Sequence, residues 1–380
     1  MPISQELLDS IRNNQFTKRE LDLSGKELED EDVRSLASAL SQNEHIKAVN
    51  LSENPIKDAG VQAVITLANI EELDVSETFF TASTTEFANI PFQDLSLRKL
   101  NVSQNRIGDR GALLISKIQN LVELGIEGCE VTNVGISALI RPTSPLEKLK
   151  IGYNMFDHDA LKNIKNNATL TQLSLPNICV PGKEINFIKV LNFILENETL
   201  ETLDLSSNLI KNEVKIIAEH RSIKILNLAH NYITGEGLAA FSNNMKLEEL
   251  LLFDNEIDSD GVNQFAKHNL TRIFCLNLCS NELDDNCIQA LASLRSLRKV
   301  DLSRNSITEA GGKVLLDLCG SSNLQEVDLS SNLVPKSMLI EFVRHTKKNR
   351  QDQALGNDIE ASPTKKSKAR LVRYPGSLES

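Results

Sequence analysis

Apolar and polar residues along this chain recur in one phrase of eight positions: apolar, x, apolar, x, x, Asn, x, apolar. Clear copies are Leu203-Asp-Leu-Ser-Ser-Asn208-Leu-Ile210, Leu226-Asn-Leu-Ala-His-Asn231-Tyr-Ile233 and Leu250-Leu-Leu-Phe-Asp-Asn255-Glu-Ile257. Three more follow, ending at Leu283, Ile307 and Val334. Weaker copies upstream bring the total to thirteen. The Asn slot falls at Lys26, Asn54, Thr78, Asn105, Cys129, Asn154, Ile178, Asn208, Asn231, Asn255, Asn281, Asn305 and Asn332. Most steps between slots are 24 to 28 residues, with 23 and 30 as extremes. Self-similarity at this period marks a solenoid built of stacked supersecondary units.

The alternating leucines of each phrase predict a short strand with both leucines in the core and their neighbours outside. The Asn then turns inward, where stacked loops offer backbone partners for its carboxamide. Ile178 cannot do this, and its repeat is the 30-residue one, so a local irregularity is expected between Ile178 and Asn208. The second half of each repeat predicts a helix. Cap-type residues stand after the phrase at Asp58, Asp109, Thr234, Asp258, Asp284 and Thr308. Glycine follows at Gly60, Gly111, Gly135, Gly237, Gly261 and Gly311, and an apolar residue at Val64, Ile115, Leu139, Phe241, Phe265, Leu291 and Leu315. The expected fold is an α/β leucine-rich repeat horseshoe, with parallel strands concave and helices convex. Residues 1–18 read as a capping helix with Ile3, Leu7, Leu8 and Ile11 on one face. Residues 19–345 read as the repeat domain, closed by a helix carrying Met338, Leu339, Phe342 and Val343. Residues 346–380 lose apolar periodicity and read as a disordered basic tail.

Charge sharpens this division. The chain carries −11, and the tail holds eight basic and four acidic residues, leaving −15 on the body. An acidic body argues against nucleic acid as a partner. No apolar run is long enough to span a bilayer. The N-terminal residues lack the basic and apolar regions of a signal peptide, so a cytoplasmic location is expected. The six cysteines lack the paired spacing of a disulfide framework, which agrees with a reducing compartment. The Asn-x-Ser/Thr sequons at Asn101, Asn167, Asn197 and Asn269 carry little weight without a secretory route.

The phrase Asn105-Arg-Ile-Gly-Asp-Arg-Gly111-Ala-Leu-Leu114 resembles the repeat of the ribonuclease-inhibitor-like class, and more closely the GALA-type repeats of bacterial effectors. Gly60-Val-Gln-Ala-Val64 and Gly237-Leu-Ala-Ala-Phe241 are variants of it, and the resemblance covers Glu20 to Val334. It implies a protein-binding module delivered into a host cell. Similar repeats occur in the Ran GTPase-activating protein, which implies a second reading as a GTPase-activating regulator. A third is an inhibitor of a cognate bacterial enzyme. The sequence departs from both family patterns. Residues 1–18 leave no room for the F-box of plant-pathogen effectors, and Arg19 and Arg34 sit in no motif of the Ran activator.

No P-loop, G-x-S-x-G, H-E-x-x-H or C-x-x-C motif is present. Cys275 and Cys279 lie four residues apart on one strand, roughly 13 Å between Cα atoms, too far for a disulfide or a shared zinc. His230, Asp254 and Ser280 occupy one slot in consecutive repeats, but Asp stands in the middle, where a hydrolytic triad needs His. They form a polar ladder. No catalytic residue, metal or cofactor is expected.

The outward strand positions remain as the functional signal. Their central residues run from Asp22 to Asp328; most are polar, and Leu251 is the apolar exception. With Phe253, Ile225, Ala229, Cys275 and Cys279, Leu251 makes an apolar patch rimmed by Asn227, Asn277, Glu249, Asp254 and Lys299. Such patches mark interaction sites. A second candidate is the group Lys148, Lys150, Glu127 and Tyr153. The expected function is non-enzymatic recognition of a protein partner by a monomer through its concave face.

Overall fold

A computed structural model describes residues 3–345 of the chain, apart from 179, 181, 269–271 and 320–322. The basic tail, the sequon at Asn269 and the thiol of Cys179 lie outside the described residues. Thirteen three-residue strands, from Glu20–Asp22 to Glu326–Asp328, form one open parallel sheet in strict chain order. Their middle residues are in register, as in Leu203, Leu226, Leu250 and Leu276. All four are at most 1% exposed and stack into one continuous apolar layer. Burial of this row stabilises each strand against its neighbours, at about 25 cal/mol per Å² of apolar surface.

The return half of each repeat lies opposite the sheet. It is α-helical at Asp30–Leu40, Asp58–Ile65, Gly108–Ile115, Ser259–Phe265 and Glu309–Cys319. At some repeats it tightens to a 3₁₀ turn, as at Asn212–Ile217, whose Val214, Ile216 and Ile217 are β-branched and poor helix formers. The expected apolar residues, Val64 to Leu315, are all buried.

The Asn slot works as a cross-repeat clamp. Asn154 is fully buried. Its Oδ1 accepts the N–H groups of Cys129 and Val131 in the preceding repeat, at 2.9 and 3.0 Å. Its Nδ2 donates to the carbonyls of Ile126, Ile151 and Gly152. The residue before the slot has φ between +48° and +62° in all thirteen repeats. Only Gly25 and Gly128 among these are glycine. A left-handed conformation costs a non-glycine residue roughly 1–2 kcal/mol, and the clamp holds it there. Where the slot is degenerate, Thr78 Oγ1 donates to Val75 O and Cys129 Sγ to Val102 O. Ile178 offers only its backbone N–H, to Asn208 Oδ1. After it the chain turns back on itself, with an antiparallel bridge between Val180 and Lys183 around Gly182 at φ +72°. Lys183 pairs with the buried carboxylate of Asp157.

Several caps depart from the expectation that each serves its own helix. Asp109 Oδ1 accepts from the N–H groups of Thr132 and Gly135, which open the following repeat's helix Asn133–Leu139. Asp30 does the same for Lys57 and Gly60, and Asp58 for Thr81, Ala82, Ser83 and Thr84. Of the six cap residues, three do accept from their own helices: Asp258 from Gly261, Asp284 from Asn286 and Thr308 from Ala310. The cross-repeat caps explain one recurrent glycine. A Cβ on Gly135 would stand 2.8 Å from Asp109 Oδ1 and 2.4 Å from Val131 Cγ1.

A second polar ladder runs along the turn from helix back to strand. Asn43, Asn167, Asn197 and Asn244 each donate through Nδ2 to a carbonyl of the preceding turn and accept N–H groups two or three residues on. His220 stands in for an Asn there. Its Nε2 bonds Ile194 O, and its Nδ1 accepts from Ser222 and Ile223. Burial depresses its pKa, which favours this neutral form. Asn167 and Asn197, read in the sequence as sequons, are only 4% and 2% exposed.

Both ends of the stack are covered. The helix Gln5–Arg12, capped by Ser4, buries Leu8 and Ile11. Met338 and Phe342 of the helix at 336–345 are buried at the other end.

Candidate partner-binding face

The outward central residues of the strands have a structural duty that the sequence reading did not assign. Asp22, Asn50, Asp74, Asn101, Asp204, Asn227, Asn277, Asp301 and Asp328 each accept the N–H two residues ahead, at 2.8–3.2 Å. This local side-chain turn is the preferred geometry of Asp and Asn. Four strands break the pattern, at Gly125, Lys150, Ser174 and Leu251. Two breaks are compensated. Ser174 precedes Pro176, which has no N–H to satisfy, and the N–H of Glu127 is taken by Ser103 Oγ. Lys150 and Leu251 remain. Among the described residues, the N–H groups of Gly152 and Phe253 have no acceptor on the chain.

These uncompensated breaks coincide with the two candidate patches. Around Leu251, the side chains of Phe253, Ile225, Cys275 and Cys279 are all half-buried. Register places Ile225 and Cys275 beside Glu249, and Asn227 and Asn277 beside Leu251. Two members differ from expectation. Ala229 is fully buried and Asn227 is 5% exposed, its Oδ1 held on the Ala229 N–H. Neither offers a surface. The Phe253 ring packs edge-on against His230, with centroids 4.5 Å apart. His230 Nδ1 meets Asp254 Oδ2 at 2.6 Å, so two members of the polar ladder are in contact. Ser280 is engaged with Cys279 Sγ.

The polar rim is tuned by burial. Partial burial raises the pKa of Glu249, with Lys299 opposing the shift. Lys299 also reaches Glu326 at 3.4 Å. Burial pushes the Cys275 thiol up to about 11, and Cys129 and Cys287 up to about 12 and 11. Such thiols are poor nucleophiles. Among the described residues no cluster of three or more His, Cys, Asp or Glu is placed to hold a metal.

The second group is less positive than its composition suggests. Lys148 lies 3.7 Å from Glu123. Burial raises the pKa of Glu127 while Lys150 pulls it down. Lys150 and Tyr153 are exposed.

This architecture, a stack of clamped strand–helix repeats with an open concave sheet, is that of a leucine-rich repeat solenoid. The family model "Leucine Rich repeat" matches residues 42–64, 93–116, 196–213, 219–242, 243–266 and 293–316. The chain is similar to the ribonuclease inhibitor of Sus scrofa, at 24% identity over 75% of this chain and 70% of that protein. It is also similar to the Rho GTPase-activating protein gacW of Dictyostelium discoideum, at 29% identity over 38% of this chain and 15% of the relative. Among solved structures, an internalin (inlF) from Listeria monocytogenes superposes with a TM-score of 0.55 at 20% identity, covering 90% of this chain and 87% of the internalin chain. That likeness is one of fold. Among the described residues no helix is long and apolar enough to cross a membrane.

Proposed function

We propose that this protein is a non-enzymatic binding module that recognises a protein partner through its concave face, as a monomer. Leu251 and Phe253 are the anchors, and the partner is held by occlusion or scaffolding. The carrying observation is the break in the Asp/Asn turn at Leu251. A position occupied by a structural carboxamide on both neighbouring strands here carries an apolar side chain beside an unpartnered N–H. A partner burying Leu251 and Phe253 would supply the acceptor that Phe253 N–H lacks, combining an apolar anchor with a hydrogen bond at the centre of an interface.

The setting we favour is a bacterial effector acting in a host cell, on the resemblance to GALA-type repeats. A second reading, a protein that blocks an enzyme by binding it, is supported by the similarity to ribonuclease inhibitor along three quarters of the chain. The GTPase-activating reading has less support, because Arg19 pairs with Glu71 and Glu72 and Arg34 pairs with Glu31. The test is a paired capture from eukaryotic cytosol and from bacterial lysate, using wild-type chain and the Leu251→Asp/Phe253→Asp variant. A protein retained by wild type and lost by a folded variant supports the patch, and its source separates host target from bacterial enzyme. Equal retention by both baits overturns it.

A further inference from the structure

Away from the concave patch, on the rim where the chain enters the strands, Arg272, Phe274, Ser296, Arg298 and Asn323 line a pocket of about 320 Å³. The register explains the convergence. Cys275 pairs with Lys299 and Lys299 with Glu326, so Arg272, Ser296 and Asn323 form one row and Phe274, Arg298 and Gln325 the next. The Cα atoms of Arg272 and Arg298 are diagonal neighbours, on the order of 8 Å apart by strand spacing and rise. Two long guanidinium side chains can therefore meet over one group.

Both guanidinium groups are exposed, and among the described residues neither has an ion pair or hydrogen bond. Among the same residues Arg98 and Lys150 are likewise exposed without an ion pair, whereas Arg19, Lys99, Lys148, Lys224 and Lys299 beside the sheet are paired. The local cause is compositional. Arg298 has Phe274 and Gln325 as its row neighbours, where Lys224 is paired with Glu201. Glu248, in line with Phe274 one repeat earlier, forms no ion pair with either arginine.

We infer that this rim pocket binds a phosphate monoester. Two unpaired guanidinium forks match a dianion with several acceptor oxygens better than a singly charged carboxylate, which one fork satisfies. The Phe274 ring supplies an apolar wall for the ester group. The inference does not depend on the Leu251 patch, which lies on the concave face.

The test is calorimetric titration of the full chain with phenyl phosphate, inorganic phosphate and benzoate. Phenyl phosphate is expected to bind, more tightly at pH 7.5 than at pH 5.0, because the second ionisation of a phosphate monoester lies near about 6. Arg272→Gln and Arg298→Gln should each weaken it about tenfold, in line with loss of one charge-assisted contact. Lys117→Gln, which removes an exposed charge several repeats away, should leave it unchanged. Circular dichroism shows whether each variant keeps its fold. Tighter binding of phenyl phosphate than of inorganic phosphate identifies an esterified source, and equal binding a free phosphate. Benzoate binding as tightly, an equal loss with Lys117→Gln, or no loss with either arginine variant would overturn the assignment.

Discussion

Strands three and ten share one backbone and differ in what their outward residues do. In Glu72–Asp74, Asp74 accepts from both the N–H and the hydroxyl of Ser76, and Glu72 pairs with Arg19 and Lys99. Every polar group has a partner within the chain. In Glu249–Leu251, the same position is leucine, the N–H two residues on is unpartnered, and a phenylalanine follows. The first surface is self-sufficient. The second is unfinished, as is the strand at Lys150, and a protein that leaves two strands in thirteen unfinished has given up local stability at those points. Binding surfaces are where such a trade is expected.

The comparison is broken most severely by removing the clamp that both strands share. Asn154→Leu would strand the N–H groups of Cys129 and Val131 and three carbonyls, so a loss of about 3–5 kcal/mol is expected in chemical denaturation. Gly135→Ala drives a methyl against Val131 and the Asp109 carboxylate. A loss of about 1–3 kcal/mol is expected, more than the ~1 kcal/mol of Asp109→Ala.

Acid titration gives an effect of about 1 kcal/mol. Burial alone would raise the Asp157 pKa, but the bonds from Lys183, the Asp159 N–H and Asn133 outweigh it and hold the carboxyl at about 2. Its folded value is therefore depressed below the ordinary 3.8. The stabilisation is present above that ordinary value and fades as pH falls towards about 2. Asp157→Asn should flatten this part of the stability–pH curve.

The smallest change is the most diagnostic. Leu251→Asn restores the residue that stands at Asn227 and Asn277, and its carbonyl would accept the Phe253 N–H. Stability should rise by about 0.5 kcal/mol, while affinity for the captured partner falls at least tenfold. If Leu251→Asn lowered stability, or left binding intact, strand ten would be no different from strand three.

The repeat count, the strand leucines and the inward Asn were legible because each rests on spacing within eight residues. Interactions between repeats were not. Asp109 was recognisable as a cap, yet the helix it caps begins 24 residues later, and no local rule reports that reach. Asn167 and Asn197 read as sequons because their partners, Arg141, Ile164 and Asn167, lie in the repeat before. Leu251 stood out in sequence only as an apolar residue among polar ones. Its meaning depends on what its neighbours do for the backbone, which the register reveals. The 30-residue step after Ile178 predicted irregularity, and the lack of an inward carboxamide is its physical cause.

The most direct test is hydrogen exchange of the full chain with and without the captured partner. The account predicts slowed exchange at Phe253 and Asp254 and in the flanking strands Ile225–Asn227 and Cys275–Asn277, with Glu72–Asp74 unchanged. Protection confined to the helices of the convex side, or spread evenly over the sheet with none at Phe253, would contradict it.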